Sequence, residues 1–160
     1  MQTKITDKNE GLMFYLSPIG FIRVRTRGQY VNHIGLAYFD DEKECLTDTA
    51  KEAVRQLDEY FNHKRSVFDL KFELSGTDFQ KSVYQKLMTI PYGKTVSYKD
   101  VAVMVGKASA SRAVGSANHN NKLMFIVPCH RVTSASGKTS GTSDWQRTQQ
   151  WLIDFEKENN

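Results

Sequence analysis

The sequence predicts a two-domain α/β protein, a short antiparallel sheet with one helix followed by a mostly helical domain of helix-turn-helix type. Three observations carry that expectation. Short β-branched and aromatic runs alternate with turn signals in the first stretch, and apolar residues recur at helical spacing through most of the remaining chain. Charge is also split unevenly across the expected boundary at Ser75-Gly76: residues 1–74 carry a net −1 and residues 75–160 a net +5.

With 160 residues and 39% hydrophobic content, the chain can bury a core without staples and is not of disordered composition. Its two cysteines, Cys45 and Cys129, are too few for a disulfide framework and lack the CxxC spacing of a zinc site. No apolar run approaches the ~20 residues of a membrane span, and the opening MQTKITDKNE has no signal-peptide character. The expectation is a soluble, cytoplasmic protein with no metal. A formal charge of +4 is more often solvated surface than a nucleic-acid footprint, but its excess marks the second half as the place where a polyanion would bind.

Taken in order, 12–16, 21–27 and 30–39 read as strands of a meander, punctuated by Ser17-Pro18-Ile19-Gly20 and Gly28-Gln29. Asp40 and Asp41 offer N-caps for a helix reaching about His63, with Ala50, Ala53, Val54, Leu57, Tyr60 and Phe61 on one stripe and Cys45 on its surface or half-buried. Alternating Phe68, Leu70, Phe72 and Leu74 predict a further strand. Thr77 caps a helix carrying Val83, Leu87 and Ile90, ended by Pro91-Tyr92-Gly93-Lys94. Ser97 caps a short helix over 98–105, stopped by Gly106, and a small-residue helix comes next over 109–119. Apolar 123–127 reads as a strand into Pro128-Cys129-His130-Arg131-Val132. A polar loop fills 133–143, and a last helix, 144–158, buries Trp151, Leu152 and Phe155.

Two constellations carry chemistry. Residues 97–118 have the outline of a helix-turn-helix, whose second helix usually enters a DNA groove. Its Ala110, Ser111, Ala113 and Gly115 surround one long cation, Arg112, suited to close minor-groove approach and to replacing an extruded base. A small-residue helix packed against its neighbour has the same composition. The second constellation is Cys129-His130. A thiol needs help to ionise, and an imidazole can supply it. Adjacent residues on a strand point to opposite faces, so the pair cooperates only if the chain turns after Pro128 or water bridges them. Asp154, Glu156 and Glu158 are each candidates to orient the imidazole. Coincidental adjacency is the plain alternative. Isolated His33, His63 and His119 form no ligand pattern, and Trp145 and Trp151 read as packing residues.

Together, Gly76-Thr77-Asp78-Phe79-Gln80, Ile90-Pro91-Tyr92-Gly93, Val96-Ser97-Tyr98, Arg112-Ala113-Val114-Gly115 and Ile126-Val127-Pro128-Cys129-His130-Arg131-Val132 resemble the O6-alkylguanine-DNA alkyltransferases over essentially all of 76–156. The resemblance implies a ribonuclease H-like first domain acting as scaffold and a winged helix-turn-helix-like second domain that binds DNA and transfers the alkyl group. It implies single-turnover repair of O6-alkylguanine, and of O4-alkylthymine, without a cofactor. Cys129 would accept the alkyl group, His130 would take its proton through water, and Glu156, at the family's spacing from Cys129, would orient His130. Tyr98 would donate towards guanine, and Arg112 would fill the gap left by the flipped nucleotide on a helix including Ala110, Ser111, Ala113 and Gly115. Asn121 would tie that helix to the cysteine-bearing strand, while Val127, Thr142, Ser143 and Trp145 would border the pocket. The implied partner is double-stranded DNA, held through the minor groove without sequence preference by a monomer needing no membrane and no protein partner.

The chain departs from the family pattern in places. Gly141-Thr142-Ser143-Asp144-Trp145-Gln146 stands where Asn-Tyr-Ser-Gly-Gly-Leu is usual, which bears on the range of alkyl groups accepted. Gln149 replaces a common lysine, Lys122 and Met124 replace common prolines, and the N-terminal zinc cysteines of some larger members are absent. Two other classes fit parts of the sequence: a non-catalytic protein that flags alkylguanine for another pathway, and a Cys-His hydrolase. The presence of Cys129 argues against the first, and the second would turn over repeatedly.

Overall fold

In the computed structural model, which describes residues 9–38, 41–137 and 144–160, the chain divides into two compact units, Met1–Glu73 and Leu74–Asn160. The first holds strands β1 (Glu10–Ser17), β2 (Gly20–Arg27) and β3 (Tyr30–Leu36) in an antiparallel sheet of order β1-β2-β3. Two-residue connections join them, with Ser17 opposite Gly20 and Arg27 opposite Tyr30. At the second of these, Gly28 adopts φ +58°, a backbone region that favours glycine. Strand alternation sends Ile22, Val24 and Thr26 inward. Helix α1 (Asp48–Phe61) covers that face with Ala50, Ala53, Leu57 and Tyr60. Burying a residue such as Leu57 stabilises the fold by about 1.5–3 kcal/mol.

Three expectations for this unit are corrected. Helix α1 starts at Asp48, not after Asp40 or Asp41, and its cap is Thr47, whose side chain accepts from Ala50 N at 3.2 Å. Position 40 itself lies outside the described residues. Cys45 is not on the helix: it exchanges both backbone hydrogen bonds with Leu12, each 2.9 Å, and so extends the edge of β1. The run 68–74 makes only an isolated bridge to β3, Val31 with Phe72. Its backbone is diverted by the Gln56 carboxamide, which pairs with both Asp69 N and Asp69 O at 2.9 Å.

The second unit is mostly helical: α2 (Asp78–Leu87), α3 (Tyr98–Met104), α4 (Ser111–His119) and α5 (Asp144–Glu158), with the short parallel pair β4 (Val96–Ser97) and β5 (Val132–Thr133). Helices α2 and α3 each begin with a capping box, Thr77 with Gln80 and Ser97 with Asp100, satisfying the first free amides reciprocally. Gly106, at φ +76°, ends the turn after α3, and α3 packs on both α2 and α4. Val83, Leu87, Val101, Val114 and Leu152 are fully buried.

Apolar 123–127 is not a regular strand. Its backbone bonds close locally, Val127 N onto Leu123 O at 2.9 Å, with Phe125 at φ +73°. On α5, Leu152 and Phe155 are buried as expected, but Trp151 is 37% exposed and stacks on Phe155 from the flank. Among the described residues no helix is long and apolar enough to cross a membrane.

Candidate active site

The chain turns immediately after Pro128, and Cys129–Arg131 forms a single turn of 3-10 helix between the local turns of 123–127 and β5. That turn removes the objection that neighbours on a strand diverge. Both Cys129 and His130 point into the unit, 4% and 1% exposed.

Behind the turn lies Glu156 of α5, 1% exposed. Its Oε2 meets His130 Nε2 at 2.7 Å. The Arg131 guanidinium grips both oxygens, Nε donating to Oε1 at 2.8 Å and a terminal nitrogen to Oε2 at 3.0 Å. Gly93 N donates to Oε1 at 3.2 Å. Arg131 is further fixed by donating to Ile90 O at 2.7 Å and by lying over the Tyr92 ring. Of the three acidic candidates, Glu156 is the one that meets His130, while Asp154 and Glu158 are exposed.

Electrostatics follow from this geometry. Burial opposes ionisation of Glu156, but hydrogen bonds and charge from His130 and Arg131 outweigh it and hold the carboxyl well below the usual range. Burial pushes the Cys129 thiol up to about 11, only partly offset by Asn121 and by the amides of Cys129 and His130. Burial also lowers the His130 pKa, and the Arg131 cation adds to this while Glu156 opposes it. At neutral pH the pair is therefore a thiol and a neutral imidazole. The bond to an ionised carboxylate keeps the ring proton on Nε2, leaving Nδ1 as the basic nitrogen.

Tyr98, the first residue of α3, is half-buried, and its ring lies over Gly115 of α4, where an added methyl would meet it at 3.8 Å. Its phenol is pushed above the ordinary value by burial and by the charge Cys129 carries when ionised, so it stays a donor. Arg112 and Ala113 are exposed on α4, with Ala110 at its N-cap and Ser111 and Gly115 half-buried. Asn121 follows α4. Its Nδ2 donates to Val127 O at 2.9 Å and its Oδ1 accepts from Leu123 N at 3.0 Å, so it shapes a turn rather than the end of a strand. Trp145 is half-buried near the start of α5; Thr142 and Ser143 lie outside the described residues.

Sequence reasoning missed several participants. Asn118 donates to Cys129 O at 3.2 Å from the buried side of α4, and Tyr84 donates to Ala117 O at 2.9 Å. Arg131 was visible in the motif without a task, and Gln149 only as a departure from the family's lysine. Among the described residues no group of three metal-ligating side chains is found.

The sequence model of the family described as "6-O-methylguanine DNA methyltransferase, DNA binding domain" matches residues 78–158. A relative from Methanosarcina barkeri, named methylated-DNA–protein-cysteine methyltransferase, is 48% identical over 149 residues, covering 89% of this chain and 94% of the relative. The crystal structure of the Mycobacterium tuberculosis O6-methylguanine methyltransferase superposes with a TM-score of 0.86 at 35% identity, covering 94% of each chain. A crystal structure of Mycobacterium tuberculosis OGT in complex with DNA gives a TM-score of 0.81 at 37% identity, covering 91% of this chain and 92% of that one.

Proposed function

Because the chain belongs to the methylated-DNA–protein-cysteine methyltransferase family, we propose that it repairs DNA directly, moving the alkyl group of O6-alkylguanine, and of O4-alkylthymine, onto Sγ of Cys129. One arrangement carries this reading: a buried thiol on a tight turn beside an imidazole that an ionised carboxylate holds at 2.7 Å.

The thiol proton passes through a bridging water to His130 Nδ1 as sulfur attacks the alkyl carbon in line. The C–S bond forms as the C–O6 bond breaks, and the electron pair leaves with guanine. Tyr98, which its raised pKa keeps protonated, donates to the departing base, and the proton taken up by His130 replaces the one it gives, so that guanine leaves neutral. Glu156 stabilises the imidazolium as it forms. The product is a thioether without an acidic proton or a good leaving group, so each chain acts once, and the residues in place need no cofactor.

A stacked base cannot bring O6 to a sulfur only 4% exposed, so the nucleotide must be flipped out, at a cost of a few kcal/mol. Arg112, exposed on the small-residue helix α4, fills the vacated space from the minor groove. Backbone contacts supply the affinity without sequence preference. On this reading α3 and α4 are a winged helix-turn-helix, the second unit does the repair as a monomer, and the first, ribonuclease H-like, is its scaffold. Val127 and Trp145 border the base pocket on this reading.

A duplex labelled on the O6-methyl group tests this. One equivalent of label moves to the protein, and none moves in Cys129→Ala. Binding without transfer would instead mark a lesion-flagging protein, and repeated turnover a hydrolase.

A further inference from the structure

Three side-chain carboxamides hold the backbone carbonyls of the reactive segment. Asn121 takes Val127 O at 2.9 Å and Asn118 takes Cys129 O at 3.2 Å, both from α4 or the loop directly after it. The third, Gln149, comes from α5, its Nε2 donating to Val132 O at 2.6 Å and to His130 O at 3.3 Å. Gln149 is 4% exposed, unusual burial for a glutamine. It precedes Glu156 by about two helical turns, so both project from one face of α5 onto the same turn. Glu156 holds the side chains of His130 and Arg131, and Gln149 holds the main chain on either side of Arg131.

We propose that Gln149 is a positioning residue for alkyl transfer: its amide anchors the Cys129–Arg131 turn to α5, so that the His130 imidazole stays aimed between Glu156 and the thiol. The proposal rests on the alkyl-transfer reading above. Glu156 alone leaves the ring hinged at one end. Fixing the backbone at residues 130 and 132 removes the remaining freedom, because the imidazole's base then moves with the helix that carries its carboxylate. A side chain of similar length without donors would fill the space but take away the donor that both buried carbonyls share, and the turn would drift to satisfy them. A drift of about 1 Å costs up to about a hundredfold in rate.

The test compares wild type, Gln149→Met and Gln149→Lys in single-turnover transfer from an O6-methylguanine duplex, across pH and DNA concentration. Methionine keeps volume and loses the donors, while lysine keeps a donor and changes the shape. In Q149M the rate at saturating DNA is expected to fall about ten- to a hundredfold with half-saturation unchanged, a loss confined to the chemical step. The acid limb of its pH profile moves to higher pH, because a loosened imidazole is less desolvated and its pKa returns towards the ordinary value. Q149K recovers most of the rate. Should Q149M fail to fold, Gln149→Leu, which also removes the donors without adding charge, carries the same two readouts. A Q149M rate and pH profile matching wild type, or a Q149K as slow as Q149M, overturns the proposal. No transfer by the wild type would instead overturn the alkyl-transfer reading itself.

Discussion

Glu156→Gln removes one charge and little volume from the most densely bonded side chain in the site. The carboxylate, 1% exposed, takes hydrogen bonds from His130, from two nitrogens of Arg131 and from Gly93 N. A carboxamide can keep one accepting oxygen, but its NH2 then faces donors, and Arg131, 8% exposed, is left cationic without a counter-charge. Removing one partner of a buried pair typically costs about 3–5 kcal/mol. At about 2–4 °C per kcal/mol for a chain of this size, Tm at pH 7 should fall by about 6–20 °C, read by circular dichroism. The pH dependence has a definite sign. A carboxyl whose folded pKa is lowered contributes stability above its unfolded pKa and loses it as pH falls through the folded one. The gap between wild type and variant should therefore be full at neutral pH and shrink steadily below about pH 4. A drop in Tm under about 2 °C at neutral pH, or a gap that does not narrow in acid, would refute the electrostatic account of this cluster.

Three further outcomes are expected from the same geometry. With a neutral imidazole as base and a thiol pKa of about 11, the wild-type single-turnover rate should be flat from about pH 7 to 9 and fall only in acid; a rate rising about tenfold per pH unit through that range would show preformed thiolate attacking without His130. Arg112→Ala should slow reaction with a lesion duplex at least about tenfold while changing reaction with free O6-benzylguanine little, and equal losses would remove Arg112 from base replacement. Thr77→Ala breaks the capping box of α2 and should cost about 1 kcal/mol in urea unfolding with the slope unchanged; no change in midpoint would show that the box is idle.

Legibility in the sequence tracked how local the determinants are. The hairpins were readable because Ser17-Pro18-Ile19-Gly20 and Gly28-Gln29 are turn signals between alternating strands. Starts at Thr77 and Ser97 were readable because both halves of each capping box lie within four residues. The failures at 41–47, 68–74 and 123–127 share a cause: backbone groups there are taken by partners that apolar patterning does not register. Leu12 claims Cys45, Gln56 claims Asp69, and Asn121 claims Val127 and Leu123. In the site, Cys129 and His130 were visible as neighbours, whereas residue spacing alone left Glu156 one of three acids. Asn118, and Gln149 beyond its departure from the family's lysine, went unread because glutamine and asparagine read as surface residues, and their burial depends on carbonyls that only the folded turn presents.

The electrostatics also constrain the order of events. With a pKa of about 11, only about one Cys129 in ten thousand is ionised at pH 7, against a few per cent for an ordinary thiol. Burial thus keeps the sulfur inert towards solutes, which matters for a residue that can react only once. The same burial makes His130 a weak base, with its pKa lowered from 6.5. Burial raises the thiol's pKa and lowers the imidazole's, so moving the proton from Cys129 to His130 before attack would be uphill. That barrier relaxes only if the developing charges are met as they form: the sulfur's by the alkyl carbon, the imidazole's by Glu156 at 2.7 Å. On the proposed mechanism, proton removal is therefore driven by C–S bond formation, and the carboxylate acts chiefly once attack has begun. Arg131 serves the same sequence from the other side. By holding Glu156 ionised while disfavouring a charged His130, it keeps the imidazole free to accept a proton that a lesion alone makes available.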